Sequence, residues 1–294
     1  MAEASIPVDL FNPGQVFACL GFLEAADVLL GDAEGGFDWN NEADVRFIMS
    51  ANGDANPFAH VLAFLEAAEV ESIAPFGSGL STSKWNVPTR LMEASEPYPF
   101  PEPSSPATLP AVLRHAPCPA SPTIIIDHWG DVTRRDNVKF WAGAGGYPGA
   151  ALLRDGLGIA DAMLSASFAD PFAVSAPQTS SFRLDWRRDY IPLDVGFSPN
   201  THGDIKMMGF PIVELMAVIG LSHARPRRFN KLSYGYAVLG PTRAASLLPP
   251  NFHRAALGQS KLPFPSRAFG FLMGWPGQEN QARCILDVTE EIIS

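Results

Sequence analysis

Acidic and histidine side chains in one short loop are the first candidates for chemistry in this sequence. Asp127, His128 and Asp131 come directly after an apolar segment, residues 123–126, and loops that follow buried strands often carry functional side chains. These side chains are ligand types of a divalent metal ion, and residues 201–204, with sequence THGD, would complete the set. A metal-dependent enzyme acting on a nucleotide or a phosphodiester is therefore one hypothesis. Two short segments do not establish that their ligands converge, so we predict no metal site and no cofactor.

A glycine-rich segment at residues 143–149 is the second candidate. It lies between a predicted strand and a predicted helix, where a phosphate can meet the N–H groups of a helix N-terminus. The dinucleotide-binding pattern GxGxxG is not matched, because the last glycine, Gly149, comes one residue late. Pro148 also removes an N–H donor near the start of the helix. A structural turn is therefore favoured over phosphate contact.

Motifs for nucleophilic catalysis are also poor. The sequence contains no GxSxG, and residues 81–84 match SxxK without the companion motifs that give this pattern its meaning. We therefore predict that the chain is not an enzyme.

Three basic groups offer a different chemistry, which is the binding of a polyanion. The groups are Arg134, Arg135 and Lys139; Arg187 and Arg188; and Arg225, Arg227, Arg228 and Lys231. The third group surrounds Pro226 and has no acid beside it, which predicts a loop whose cations contact phosphates. Phe229 and Tyr234 would stack on unpaired bases. An equally good interpretation of the first two groups is a set of local ion pairs with Asp136, Asp185 and Asp189.

Charges are segregated along the chain, whose formal net charge is −10. Residues 1–72 contain 13 Asp and Glu and only one basic residue, Arg46, whereas residues 183–283 contain 13 Lys and Arg against 6 Asp and Glu. A molecule with two electrostatic ends can orient itself between different partners. We expect protein contacts for the acidic N-terminal part, and the alternative is that this face only supports solubility.

Apolar periodicity predicts the elements that position these groups. In the first 76 residues the order is strand, helix, strand, strand, helix, strand, with strands predicted at residues 6–10, 37–39, 45–49 and 70–74. Asn-Pro pairs at Asn12 and Asn56 start the helices, and Gly31 ends the first of them. The fold class is therefore α+β, with an N-terminal ferredoxin-like βαββαβ module.

A proline-rich segment with nine prolines between Pro97 and Pro122 divides the chain. We predict an acidic ferredoxin-like module at residues 1–96, a Pro-rich linker or surface loop at residues 97–122, and a larger irregular α+β region with basic loops at residues 123–294. Further strands of that region are predicted at residues 123–126, 137–141, 182–190, 232–239, 269–273 and 282–288, and helices at residues 148–166 and 213–221. In residues 182–190 the alternation places Phe182, Leu184 and Trp186 inward and Arg183, Asp185 and Arg187 outward.

The cellular compartment is predicted from the absence of a recognisable signal peptide and of a membrane-spanning segment. The first residues have no basic n-region and no apolar h-region, and residues 207–221 are too short and too interrupted to cross a bilayer. The three cysteines, Cys19, Cys118 and Cys284, are far apart and form no ligand spacing. We expect a cytoplasmic protein without membrane contact.

Five segments resemble a known family, the compact large-subunit-like accessory proteins of type I-U (also called I-G) CRISPR-Cas operons. They are SIPVDLFNPGQVFACLG at residues 5–21, DHWGD at residues 127–131, KFWAGAGGYPG at residues 139–149, DWRRDY at residues 185–190 and WPGQE at residues 275–279. The resemblance spans nearly the whole chain.

This resemblance implies a non-catalytic subunit of a crRNA-guided effector in antiviral defence. The partners that it implies are a crRNA or target DNA, other effector subunits, and a helicase-nuclease that cuts in trans. Guide pairing would supply sequence recognition, while the protein reads backbone and shape. The metal-dependent enzyme and a protein adaptor without nucleic-acid contact are the alternatives.

Overall fold

The computed structural model describes residues 1–118, 120–129, 147–164, 169–178, 181–188, 207–240, 247–275 and 283–291. The predictions for Asp131, Arg134, Arg135 and Lys139 lie outside these described residues, as do those for residues 137–141 and 201–204.

The fold is α+β, as the sequence predicts. Its N-terminal half contains the strands β1 (Ala2–Pro7), β2 (Glu34–Asp38), β3 (Arg46–Ala51), β4 (Ala68–Ala74), β5 (Thr89–Leu91), β6 (Ala111–His115) and β7 (Ile124–Ile126), with the helices α1 (Pro13–Leu30) and α2 (Pro57–Glu66). The later elements are the helices α3 (Gly149–Leu164), α4 (Pro211–His223) and α5 (Pro250–Leu257), with the strands β8 (Ala176–Pro177), β9 (Met208–Gly209), β10 (Arg227–Arg228), β11 (Ser233–Leu239), β12 (Ser266–Gly274) and β13 (Cys284–Glu291).

The described strands form three main sheets and one two-stranded pair, β8–β9. β1, β3 and β2 form the first sheet, which is antiparallel in the order β1-β3-β2. The second sheet has the order β5-β4-β6-β7, and the third, which is antiparallel, has the order β10-β11-β12-β13. The third sheet positions the basic residues discussed below.

The predicted ferredoxin-like module is only partly matched. The element order is βαββαβ as predicted, and the first sheet has the predicted antiparallel strands. β4, however, does not join that sheet: it pairs with β6, where Val70 lies opposite Leu113, and with β5. The apolar strand β6 comes from residues 97–122, which we predicted to be a linker or a surface loop. Because Ala111, Val112 and Leu113 are buried, pairing with β4 removes their apolar side chains from water.

The helix ends follow the local sequence closely. Asn56 accepts hydrogen bonds from Phe58 N and Ala59 N through its side-chain Oδ1, which satisfies the first N–H groups of α2. α1 begins after Asn12 and ends at Gly31, whose positive φ of 80° suits glycine. Asn12 itself makes no side-chain capping bond, and its amide Nδ2 donates to the distant Asp185 Oδ1 at 2.9 Å.

α1 and α4 are in contact through glycines. A Cβ atom added at Gly21 of α1 would lie 1.8 Å from the carbonyl oxygen of Met216 in α4, and one added at Gly220 would lie 2.3 Å from the carbonyl oxygen of Phe17. Only residues without a side chain allow the two backbones to approach so closely. The two helices are buried along nearly their whole length and form the centre of the core.

This contact joins distant parts of the chain. α1 lies in the predicted module at residues 1–96 and α4 in the predicted region at residues 123–294, yet the buried side chains of both belong to one hydrophobic core. The described residues on both sides of the Pro-rich segment therefore share a core.

α1 is the only described helix that is long and apolar enough to cross a bilayer by length and composition. Within the protein, 78% of its 18-residue apolar window is buried. Burial of this extent is typical of a core helix, and the contact with α4 accounts for it.

We predict that Gly21→Ala destabilises the fold. The added methyl group clashes with backbone atoms of α4, so the expected loss in free energy of unfolding is about 1–3 kcal/mol, although alanine favours helix formation. Gly158→Ala in α3 is the matched control, since an added Cβ there meets no atom within 4 Å, and it should stabilise by about 0.5–1 kcal/mol. Urea denaturation of both variants measures the difference, and equal effects would contradict the role given to the glycine contact.

Candidate nucleic-acid interface

A short hairpin that follows α4 holds Arg227, Arg228 and Lys231 of the third basic group. Its first strand, β10, is antiparallel to the start of β11, with Arg227 opposite Gly235 and Arg228 opposite Tyr234. The turn is closed by Ser233, whose carbonyl oxygen accepts hydrogen bonds from Phe229 N and Asn230 N at 3.0 and 3.2 Å. We predicted a free loop here. Arg227 and Arg228 instead lie in a strand, which fixes their backbones relative to the sheet.

The ends of two further strands lie beside this hairpin. In the antiparallel sheet, Ser233 of β11 is opposite Leu272 of β12, and Gly274 is opposite Cys284 of β13. Trp275 and Arg283, the residues next to these strand ends, are therefore brought to the same end of the sheet. The Lys231 Nζ lies 5.6 Å from the centroid of the Trp275 ring, and the Arg283 guanidinium lies 3.5 Å from the Lys231 carbonyl oxygen.

We call this surface the basic-aromatic patch. It consists of Arg227, Arg228, Phe229, Lys231, Trp275 and Arg283. Sequence reasoning did not assign Trp275 and Arg283 to the site. The sequence signal for them is the run of three successive predicted strands. If these strands pair antiparallel in the order β11-β12-β13, the start of β11 lies next to the end of β12 and the start of β13.

The patch combines an exposed aromatic ring with neighbouring cations. Phe229 is 49% exposed, and the Arg227 guanidinium carbon lies 5.2 Å from the centroid of its ring. An exposed ring can stack on an unpaired base, while the cations beside it contact the phosphates. No carboxylate of the described residues forms an ion pair with Arg227, Arg228 or Lys231, so their charges remain available to a polyanion.

Tyr234 does not take the stacking role that we predicted. Its side chain is 1% exposed and lies in the core, where its ring stacks on Phe271 with centroids 5.4 Å apart. The reason is that β11 is buried on both faces, since every residue from Tyr234 to Leu239 is buried. A base cannot reach Tyr234 in this arrangement.

Arg225 lies apart from the patch. Its guanidinium donates a hydrogen bond to the His128 carbonyl oxygen at 3.2 Å, and it is close enough to Asp127 to favour the charged form of that carboxyl. Burial nevertheless raises the pKa of Asp127 above its ordinary value, because desolvation outweighs Arg225 and His223. The third basic group and the predicted metal-binding loop are therefore in contact through Arg225. At this position Arg225 contributes to the packing of the protein.

His128 and Trp129, in the predicted metal-binding loop, form part of the core. Trp129 is fully buried, donates from Nε1 to the Leu109 carbonyl oxygen at 2.8 Å and stacks on Phe182. A Cβ added at Gly149 would lie 2.5 Å from the Trp129 indole, which explains the glycine at the start of α3. No three His, Cys, Asp or Glu side chains within the described part of the chain are arranged to hold a metal ion.

Arg187 and Arg188 are engaged by contacts within the protein, and Arg188 is buried whereas Arg187 is exposed. The Arg187 guanidinium forms an ion pair with Asp185 at 2.6 Å and lies 3.7 Å from the centroid of the Phe210 ring. Arg188 is only 3% exposed, so it offers no contact to a phosphate. For Arg187 the local ion pair that we considered is therefore present. The predicted alternation fails at this point, because Asp185 is buried and Trp186 is 40% exposed.

A buried carboxyl explains why this segment is not a strand. Glu214 in the first turn of α4 accepts hydrogen bonds from Leu184 N at 2.9 Å and Asp185 N at 3.3 Å through Oε1. These bonds replace the partners that a strand would supply. Burial raises the pKa of Glu214 to about 7, although Arg188 nearby favours the charged form.

Comparison with protein-family models, with curated proteins and with solved structures found no match for this chain.

We predict that Glu214 makes stability depend on pH. The folded carboxyl keeps its proton up to about pH 7, whereas the unfolded carboxyl releases it near pH 4.5, so the free energy of unfolding falls as pH rises between these values. Glu214→Gln keeps an oxygen for the two N–H groups and removes the titration. Relative to this variant, the parent chain should lose about 2 kcal/mol between pH 5 and pH 7.5 in urea denaturation. Parallel pH profiles of the two chains would refute the prediction.

Proposed function

We propose that this chain is a non-catalytic subunit of a crRNA-guided type I CRISPR effector and contacts nucleic acid through the basic-aromatic patch. The observation that carries the proposal is the convergence of Arg227, Arg228, Phe229 and Lys231 with Trp275 and Arg283 at one end of the third sheet. The sequence resemblance to the accessory proteins of type I-U operons indicates which assembly the chain would join.

The proposed ligand is the unpaired part of a crRNA or of an opened DNA target. Both offer phosphates to the cations and free base faces to Phe229, whereas a duplex hides its base faces in the stack. Among the described residues of the patch, no set of polar side chains is arranged around a pocket for one base. Backbone and shape would therefore be read by the protein, and sequence by guide pairing.

The remaining partners follow from the same proposal. The acidic residues of the N-terminal part would contact other effector subunits, since they repel phosphates. A helicase-nuclease would cut the target in trans, in the cytoplasm. A catalytic alternative based on Asp127 and His128 has less support, because His128 is buried and the Asp127 side chain lies beside Arg225.

The test is binding of a labelled single-stranded oligonucleotide at two salt concentrations. Arg227→Glu combined with Arg228→Glu should weaken binding at least tenfold near 0.1 M salt and reduce the slope of log affinity against log salt. Phe229→Ala should weaken binding by about 1–3 kcal/mol and leave that slope unchanged, because it removes stacking but no charge.

The matched control reverses two exposed lysines outside the patch, Lys84→Glu with Lys261→Glu. It changes the net charge by the same amount and should cost little affinity. If the control weakens binding as much as the arginine pair, the protein attracts nucleic acid only through its overall charge. If neither variant has an effect, the patch is not the interface.

A further inference from the structure

One edge of the strand β4 is only partly covered. On one side β6 pairs with residues 68–72 of this strand, whereas on the other side β5 pairs only with residues 72–74. Among the described strands, none therefore lies beside residues 68–71 on the β5 side. An uncovered strand edge presents its N–H and C=O groups to any extended chain that can reach it.

The hydrogen bonds of β4 show which groups point to this open edge. The Ala67 C=O and the Ile73 N–H are bonded to backbone groups at the two ends of β6, at 2.9 and 3.0 Å. The Ser72 N–H instead donates to the Pro88 carbonyl oxygen at 2.9 Å, on the side of β5. Because the backbone groups of successive residues alternate between the two sides of a strand, the N–H and C=O of Val70 point to the open edge.

The sequence explains why β5 does not extend further along β4. In the next rung of the parallel ladder, the N–H of residue 88 would donate to the Val70 C=O, but residue 88 is proline and has no N–H. Asn86 has a positive φ of 56°, which is not a strand conformation. Among the described residues, no backbone or side-chain hydrogen bond is made by the backbone of Val70, which is only 8% exposed. Backbone groups in such a position are normally satisfied.

A groove with a volume of about 460 Å³ lies along this edge. It is lined by residues 68–70 of β4, by Leu65 at the end of α2, by Pro88, and by Leu157 and Gly158 of α3. Leu65 and Leu157 are buried apolar side chains, and an added Cβ at Gly158 would meet no atom within 4 Å. The groove therefore combines apolar surface and open space with a peptide group that has no partner.

The charge at the groove is negative. Glu69 is exposed and forms no ion pair within the described part of the chain, since its cross-strand neighbour Arg114 bonds to Glu71. Arg154 is the one cation among the described residues of the lining, and it is paired with Asp155. A ligand with a basic residue near Glu69 would be favoured.

We propose that this groove binds an extended peptide segment of a partner protein, which adds a short strand to β4 where β5 leaves its edge open. A peptide N–H would donate to the Val70 C=O, and a peptide C=O would accept from the Val70 N–H. An apolar side chain of the segment would lie against Leu65 and Leu157, and a basic side chain would lie beside Glu69. The inference goes beyond the proposed function, because the groove shares no residue with the basic-aromatic patch and does not require nucleic acid.

Other occupants fit the groove less well. Nucleic acid would meet a carboxylate and no uncommitted cation. A metal ion needs converging ligands, and the described residues contain no cluster of three such groups. A second copy of the chain would offer an acidic strand, since β13, at the edge of the third sheet, contains Asp287, Glu290 and Glu291 and no basic residue.

The experiment measures binding of a fluorescein-labelled peptide of sequence KTVTVK by anisotropy. Its control is the same peptide with N-methyl groups on its threonine and valine amides, which keeps the charges and side chains but removes the N–H donors. We expect the control peptide to bind about tenfold more weakly, because it cannot form the ladder bond to the Val70 C=O. The Val70 amide proton should exchange with solvent about tenfold more slowly when the first peptide is bound.

Gly158→Trp is the protein variant that tests the location. It places a ring in the groove at a position where the added side chain has open space, so the fold should be preserved, and it should weaken peptide binding about tenfold. Gly158→Ala is the matched control and should change binding less than about twofold, because a methyl group leaves the groove open.

Four results would overturn the proposal: no binding up to about 1 mM peptide, equal binding of the two peptides, equal binding by the parent chain and Gly158→Trp, or self-association of the parent chain that Gly158→Trp abolishes. The last would identify a second copy as the occupant. Arg227→Glu with Arg228→Glu should leave peptide binding unchanged, and Gly158→Trp should leave oligonucleotide binding unchanged. Failure of the groove is thereby distinguished from failure of the basic-aromatic patch.

Discussion

The close contact between α1 and α4 is the constraint on which the rest of the structure depends. Gly21 and Gly220 let the two backbones meet, and each end of α4 then positions a different feature. Its first turn carries Glu214, which holds the backbone at residues 184–185. Its last turn leads into the hairpin of the basic-aromatic patch. A shift of one helix along the other would therefore move both the segment at residues 184–185 and the patch.

Polar contacts join α1 to the end of α4 and to α5. Glu24 of α1 is buried, and its carboxylate accepts two hydrogen bonds of 2.6 Å from Arg254 and lies 3.5 Å from His223 at the end of α4. Burial lowers the pKa of His223, so the ring is mainly neutral at neutral pH and Arg254 supplies the compensating charge. A buried charge is costly unless it is paired, so the ion pair between Glu24 and Arg254 favours one position of α5 against α1.

Local sequence patterns predicted the helices and strands, whereas tertiary contacts determine which strands pair and which polar side chains are buried. The Asn-Pro pairs located the start of α1 and α2, and the predicted strands at residues 232–239, 269–273 and 282–288 agree with β11, β12 and β13 within a few residues. The pairing of β4 with β6 was missed, because element order does not say which sheet edge a strand joins. The predictions that Tyr234 and Arg188 contact nucleic acid failed for a related reason. Both residues are buried, and their burial depends on residues that are distant in the sequence.

The charges of the chain are segregated in sequence, and ion pairs decide which basic residues can meet a polyanion. Arg254 and Arg267 are each held by a carboxylate, Glu24 and Glu290 respectively. Arg227, Arg228 and Lys231 form no ion pair with a carboxylate of the described residues. Their charges therefore act on a ligand outside the fold, and because the field is screened beyond about 8 Å at physiological ionic strength, only a ligand in close contact with the patch would feel it.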